Sequence, residues 1–230
     1  MSEYELLAKV TDFAKEAFIH DASGHDWPHT DRVRRVGLLL ADAEGANRRI
    51  VEIAALLHDI ADWKIRGGDL TAGPREAKQF LLAVGADEAT AEQVAEIIAG
   101  VSFKGAGVDT PMRSIEGRCV QDADRLEAIG AIGIARAFAF GGAKGRAMYD
   151  PTVLPELHSN FKKYSVNDGH TINHFFEKLL LLRDRMQTAS GRSIAKQRHA
   201  VLVDFLQQFF TEWHGDESPP IEFSLAGNST

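Results

Sequence analysis

His58 and Asp59 stand side by side at the end of the apolar run LLHDIADWK, residues 56 to 64. A helix turns by about 100° per residue, so these neighbours point in related but different directions and can close on one object between them. His29 shares a helical stripe with Val33 and Val36, and VQDADRLEAIG brings Asp122 and Asp124 to the end of another apolar stretch. Imidazoles and carboxylates together are the donor set of a divalent transition metal. A lone histidine on a buried face is more often a core residue satisfied by one hydrogen bond. The carboxylates shift the balance, because burying them without a partner is costly. On residue types alone, Asp122 and Asp124 are rivals for the last ligand.

The elements that must carry these residues are helical. Ile50, Ile53, Ala54 and Leu57 recur at three- and four-residue steps, which predicts a helix over Asn47 to Trp63. Asp26 and Pro28 form a start signal for the helix bearing His29, and Gly45 breaks it. Shorter helices are expected at Pro74 to Val84, Ala89 to Val101, Met112 to Arg125 and Glu127 to Phe140. Thr171 is expected to cap a helix with the face Ile172, Phe175, Phe176 and Leu179; a last helix carries Leu202, Phe205, Leu206, Phe209 and Trp213. No stretch alternates with period two for long enough to predict a sheet, so the fold class is all-α. Residues 141 to 156, and on to His170, hold glycines, prolines and polar residues and are expected to form a long loop of the kind that can serve as a lid.

GHDWPHTDRV, LLHDIAD and QDADRLEAIG, in that order, resemble the motifs of the HD-domain metal-dependent phosphohydrolases. The resemblance implies an all-α fold and a metal held by a His, a His-Asp pair and a later Asp, which fall here on His29, His58, Asp59 and Asp124. The family pattern places its last ligand just before a basic-Leu pair, which favours Asp124 over Asp122. HDIADWK, QDADRLEAIGAIGIARAF and HTINHFFEKLLLLRDRMQT extend the similarity to a bacterial subfamily of nucleotide pyrophosphohydrolases, over most of residues 20 to 214. The expected organisation is a single HD domain over 1–214, with a motif core at about 20–140, a loop and helical extension at 141–214, and a mobile tail at 215–230.

The implied cofactor is one divalent metal ion, manganese first, with nickel, cobalt, iron or magnesium as alternatives. Such an ion acidifies a water and neutralises phosphate charge. Asp62, one turn beyond His58, is placed to orient the water or accept its proton; its ordinary role is a helix-end carboxylate. His25 can contact substrate or brace the His29 ring, and Asp26 can do the same or act only as a helix cap. Lys64, Arg125, Lys144, Arg146, His174 and Lys178 are the candidate phosphate and substrate contacts, each with a solvated or ion-paired role as the plain alternative.

The leading expectation is hydrolysis of a nucleoside triphosphate to monophosphate and pyrophosphate. The alternatives are an HD nucleotidase or phosphodiesterase releasing phosphate, triphosphate or a linearised nucleotide, and a non-catalytic metal-stabilised module that binds nucleotide or protein. The chain has 230 residues, 44% hydrophobic and 26% charged, which suits a globular domain. Its net charge of -7 argues against a nucleic-acid polymer as partner. A single cysteine, Cys119, rules out an internal disulfide and suits a reducing interior. No signal pattern opens the chain and no apolar stretch reaches the ~18 residues of a membrane span. The expected setting is therefore cytoplasmic, away from membranes, with a small-molecule nucleotide as partner and a homodimer left open.

Overall fold

The computed structural model describes residues 2–18, 26–60, 69–158, 160, 162 and 169–215. Among these residues there is no strand, and the all-α expectation holds. The helices are α1 (Glu3–Ala17), α2 (Trp27–Glu44), α3 (Arg48–Leu57), α4 (Ala72–Ala83), α5 (Glu88–Val101), α6 (Ile115–Glu127), α7 (Gly130–Ala143), α8 (Thr171–Glu177) and α9 (Ala189–His214). A 3-10 segment, Leu179–Arg185, joins the last two.

Local chemistry explains most of the boundaries. Asp26 caps α2 by accepting from the His29 N–H at 2.9 Å, so the cap itself places His29 in the first turn. Gly45, at φ 69°, ends that helix. Asn47 caps α3, accepting from the Arg49 and Ile50 amides. The expected run to Trp63 is too long: α3 stops at Leu57. His58 Nδ1 sits 2.8 Å from the Ala55 carbonyl, and the Ile60 N–H reaches back to Leu57 O, so the chain tightens into a turn. Residues 61–63 lie outside the described residues.

Other boundaries also differ from expectation: α6, capped by Ser114, begins at Ile115 and not at Met112, and α7 runs from Gly130 to Ala143 and not from Glu127 to Phe140, so the expected loop begins only after Ala143. The α8 cap is His170, whose Nδ1 accepts from the Asn173 N–H at 3.2 Å, while Thr171 is buried as the first helical residue. The periodicity reading assigned no element to residues 3–17, which form α1. Its signal was present as a capping box: the Glu5 N–H donates to Ser2 Oγ, and the Ser2 N–H donates to the Glu5 carboxylate. The expected tail at 215–230 falls, after Gly215, outside the described residues.

Helix α6 is central, packed against α2, α3, α5 and α9. Its Cys119, Val120, Ala123 and Leu126 are fully buried, and one core cluster runs from Leu6 in α1 to Phe210 in α9. Close approach of α2 depends on Gly37: a Cβ there would sit 3.2 Å from Val51 Cγ1 and 3.8 Å from Ala123 Cβ. No single helix among the described residues is long and apolar enough to cross a membrane, and α6 and α7 meet at a bend of 68°.

The start of α9 is tied to the other helices by carboxylates. Glu44 accepts from the Ser190 amide and hydroxyl, both at 2.7 Å. Asp122 accepts from the Gln187 amide at 2.9 and 3.0 Å, the Thr188 amide at 2.8 Å and the Thr188 hydroxyl at 2.7 Å. Gly191 packs on this junction, where an added Cβ would meet Asp122 Oδ2 at 2.5 Å and Thr188 Oγ1 at 2.6 Å. Gly191→Ala is therefore expected to destabilise the fold by about 1–3 kcal/mol through overpacking. Thermal denaturation checks this, and an unchanged midpoint would mean that the junction relaxes freely.

Candidate metal centre

Three helix ends converge on one point. His29 comes from the first turn of α2, His58 and Asp59 from the turn that closes α3, and Asp124 from α6. His29 Nε2 lies 3.5 Å from Asp59 Oδ2 and 3.6 Å from Asp124 Oδ1. His58 Nε2 lies 3.3 Å and 3.8 Å from the same two oxygens. The two rings stand edge to face, with centroids 5.4 Å apart.

These distances can be tested against a metal. Two donors that each sit about 2.1 Å from one ion are at most about 4.2 Å apart. All four nitrogen–oxygen separations fall inside that limit, and one donor atom from each of His29, His58 and Asp59 lies within 4.8 Å of the others. His58 Nε2 is buried and makes no hydrogen bond among the described residues. Its other nitrogen is held by the Ala55 carbonyl, an arrangement that leaves the Nε2 lone pair of a neutral ring facing the carboxylates. The residues present therefore fit a divalent cation.

Burial is graded across the site. The His29 and His58 side chains are 0% and 1% exposed, Asp59 is 13% and Asp124 is 29% exposed. The imidazoles form a sealed floor and the carboxylates face the open side, from which solvent or substrate can arrive. Burial alone would lower the His58 pKa, but the Asp59 carboxylate, then Asp124 and the Ala55 carbonyl, hold it up at about 9. A cation in this place would serve the same carboxylates and take over the compensating charge.

Asp122 and Asp124 sit on the same helix, yet they play different parts. Asp122 is fully buried and its oxygens are taken up by Gln187 and Thr188, whereas Asp124 is the one turned toward the two histidines. Burial raises the Asp122 pKa, against the pull of those hydrogen bonds.

Protein groups engage several of the expected substrate contacts. Arg125 is buried; it donates to Thr110 Oγ1 at 2.8 Å and to the Arg185 carbonyl, and burial brings its pKa down to about 10. Lys144 and Arg146 each lie against the Phe140 ring near the end of α7, 5.8 Å and 5.6 Å from its centroid. Lys178 follows α8, with its amide bonded to the His174 carbonyl and its ammonium 5.5 Å from the Phe103 ring. His174 is half-buried on α8. His25, Asp62 and Lys64 lie outside the described residues.

Sequence reading overlooked Glu127. It sits one helical turn after Asp124, is 2% exposed, and places Oε2 3.9 Å from His29 Nδ1. Arg32 Nε donates to the same oxygen at 2.6 Å, and Arg198 lies 3.7 Å from the other. Burial disfavours its ionised form, but His29 and Arg32 outweigh burial and hold the pKa down at about 2. The legible signal was spacing: residues three apart share a helix face, so Asp124 implicates Glu127.

The HD domain family model matches residues 27–129. Bacillus subtilis YpgQ is 36% identical over 210 residues, covering 90% of this chain and 94% of YpgQ. A crystal structure of YpgQ in complex with ADP is similar to this chain with a TM-score of 0.69, over 90% of this chain and 97% of that one. A Lactobacillus plantarum protein of known structure is 38% identical with a TM-score of 0.82, over 94% of this chain and all of its own. An HD-superfamily hydrolase from Bacillus thuringiensis is 41% identical with a TM-score of 0.71, over the same shares.

Proposed function

The chain belongs to the HD-domain family of metal-dependent phosphohydrolases, and we propose that its substrate is a nucleoside triphosphate, cleaved between the α and β phosphates. The observation that carries the metal-dependent hydrolase part of this reading is the convergence of His29, His58, Asp59 and Asp124 around a buried nitrogen for which the described residues supply no hydrogen bond. The ADP complex of YpgQ supports a nucleotide as the ligand, and the resemblance to the pyrophosphohydrolase subfamily supports the position of the cut.

Under this proposal His29, His58, Asp59 and Asp124 hold one divalent ion, manganese first, with nickel, cobalt, iron or magnesium as alternatives, since a mixed nitrogen and oxygen donor set does not discriminate sharply among them. When bound, the ion supplies positive charge against the phosphate oxygens and makes a neighbouring water more acidic. The chain's own residues do the rest. His58, fixed through Nδ1 by the Ala55 carbonyl, keeps its ring at one angle. Asp59 and Asp124 hold negative charge at the open side. Asp62 takes the proton from water as it attacks, and Lys64 with Lys144 and Arg146, which follow α7, meets the departing pyrophosphate. Phosphoryl transfer depends mainly on such alignment and charge neutralisation. The working setting is a reducing cytoplasm, in keeping with the single cysteine.

Hydrolysis in heavy-oxygen water tests the bond that breaks. Attack at the α-phosphorus is expected to put the label in the monophosphate, with unlabelled pyrophosphate as the second product. Label in inorganic phosphate, or nucleoside with intact triphosphate, would replace the pyrophosphohydrolase reading with that of a phosphatase or triphosphohydrolase.

A further inference from the structure

Each histidine at the site has two ring nitrogens, and only one of them can face a cation. For His58 the other nitrogen is held by the Ala55 carbonyl at 2.8 Å. For His29 the group facing that nitrogen is a carboxylate. Helix α6 presents Asp124 to His29 Nε2 at 3.6 Å and, one turn later, Glu127 to His29 Nδ1 at 3.9 Å. One helix face thus addresses both sides of the same imidazole.

Glu127 is built to stay in place. Arg32, one turn after His29 on α2, donates to Oε2 at 2.6 Å. Arg198 of α9 approaches Oε1 at 3.7 Å. The carboxylate is 2% exposed, so its charge is held by the protein and little by solvent. A residue needed only to balance Arg32 could do so at the surface, without entering the space behind a candidate ligand.

We propose that Glu127 is a positioning residue for the metal centre: it accepts the Nδ1 proton of His29, so that the ring keeps the tautomer whose Nε2 faces Asp59 and Asp124. The inference rests on the metal-site reading. The 3.9 Å separation exceeds hydrogen-bond length, so metal loading is expected to draw the pair together to about 2.9 Å. Carboxylates that hold a ligand histidine this way typically contribute 10–100-fold in metal affinity.

Full-length protein and its Glu127→Gln variant, compared in two measurements, test this. Competition with a chelator should show Mn2+ affinity reduced by about 10–100-fold in the variant. In 1H–15N spectra of Zn2+-loaded protein, the wild type should show a sheltered, downfield His29 Nδ1 proton, which moves upfield in the variant as the charged acceptor is replaced. A merely structural role would lower the melting temperature and leave both readouts unmoved. Unchanged Mn2+ affinity with an unchanged ring-proton signal overturns the inference while leaving the metal site intact. A wild-type protein that binds neither ion overturns both readings. Should Glu127→Gln fail to fold, the wild-type spectrum decides: the sheltered Nδ1 proton supports the inference and its absence overturns it.

Discussion

Replacing His58 or Asp59 with alanine is expected to lower metal affinity by more than about 100-fold and to reduce hydrolysis to background. The scale follows from what surrounds them: partners one step removed from a ligand are already worth about 10–100-fold in affinity or activity, and these two residues would touch the ion itself. His58 contributes the buried Nε2, for which the described residues supply no hydrogen bond. Asp59 contributes the oxygen nearest to both rings, 3.3 Å from His58 and 3.5 Å from His29. Elemental analysis after dialysis, with far-ultraviolet circular dichroism to establish that the variants are folded, checks the expectation. Stoichiometric metal and normal turnover in both variants would remove the site from these residues.

The second large effect separates two aspartates on one helix. Asp124→Asn is expected to lower metal affinity and hydrolysis by more than about 100-fold with little change in melting temperature, because its side chain is part-exposed and lies against the histidines. Asp122→Asn should do the opposite. The Asp122 carboxylate accepts from the Gln187 and Thr188 amides and the Thr188 hydroxyl in a fully buried setting, and an amide nitrogen in place of one oxygen would face donors with a donor. Leaving buried donors without an acceptor costs about 1–3 kcal/mol each, so a loss of about 2–3 kcal/mol is expected, with the start of α9 loosened. For a chain of this size that is a fall of roughly 4–12 °C in melting temperature. Metal titration and calorimetry on the two variants read both axes; a metal defect in Asp122→Asn at unchanged stability would reverse the assignment.

The partners of Arg125 also bear on function. Arg125 neighbours Asp124 in sequence, yet its guanidinium bonds Thr110 and the Arg185 carbonyl, while Arg185 in turn donates to the carbonyls of Gly105, Ala106 and Val108. These two arginines tie the segment at 105–110 to the stretch before α9. A substrate contact by Arg125 would have to share its guanidinium with those backbone partners.

Much of the architecture is legible in the amino-acid sequence. The all-α class, the cap at Asp26, the stop at Gly45 and the stripe through Ile50, Ile53, Ala54 and Leu57 all follow from local rules, because helix propensity, capping and period-3.6 burial act within a few residues. The ordered His29, His58, Asp59 and Asp124 were likewise readable as a candidate ligand set, since each sits where a helix begins or ends. Tertiary structure decided what depends on partners far along the chain. Asp122 became a structural carboxylate because the start of α9 brings Gln187 and Thr188 to it. Glu127 joined the surroundings of His29 because α2 and α6 pack closely enough for Arg32 to hold it there. Periodicity says which face of a helix is buried, but the atom a buried carboxylate meets is set by packing between helices, which a local pattern does not encode.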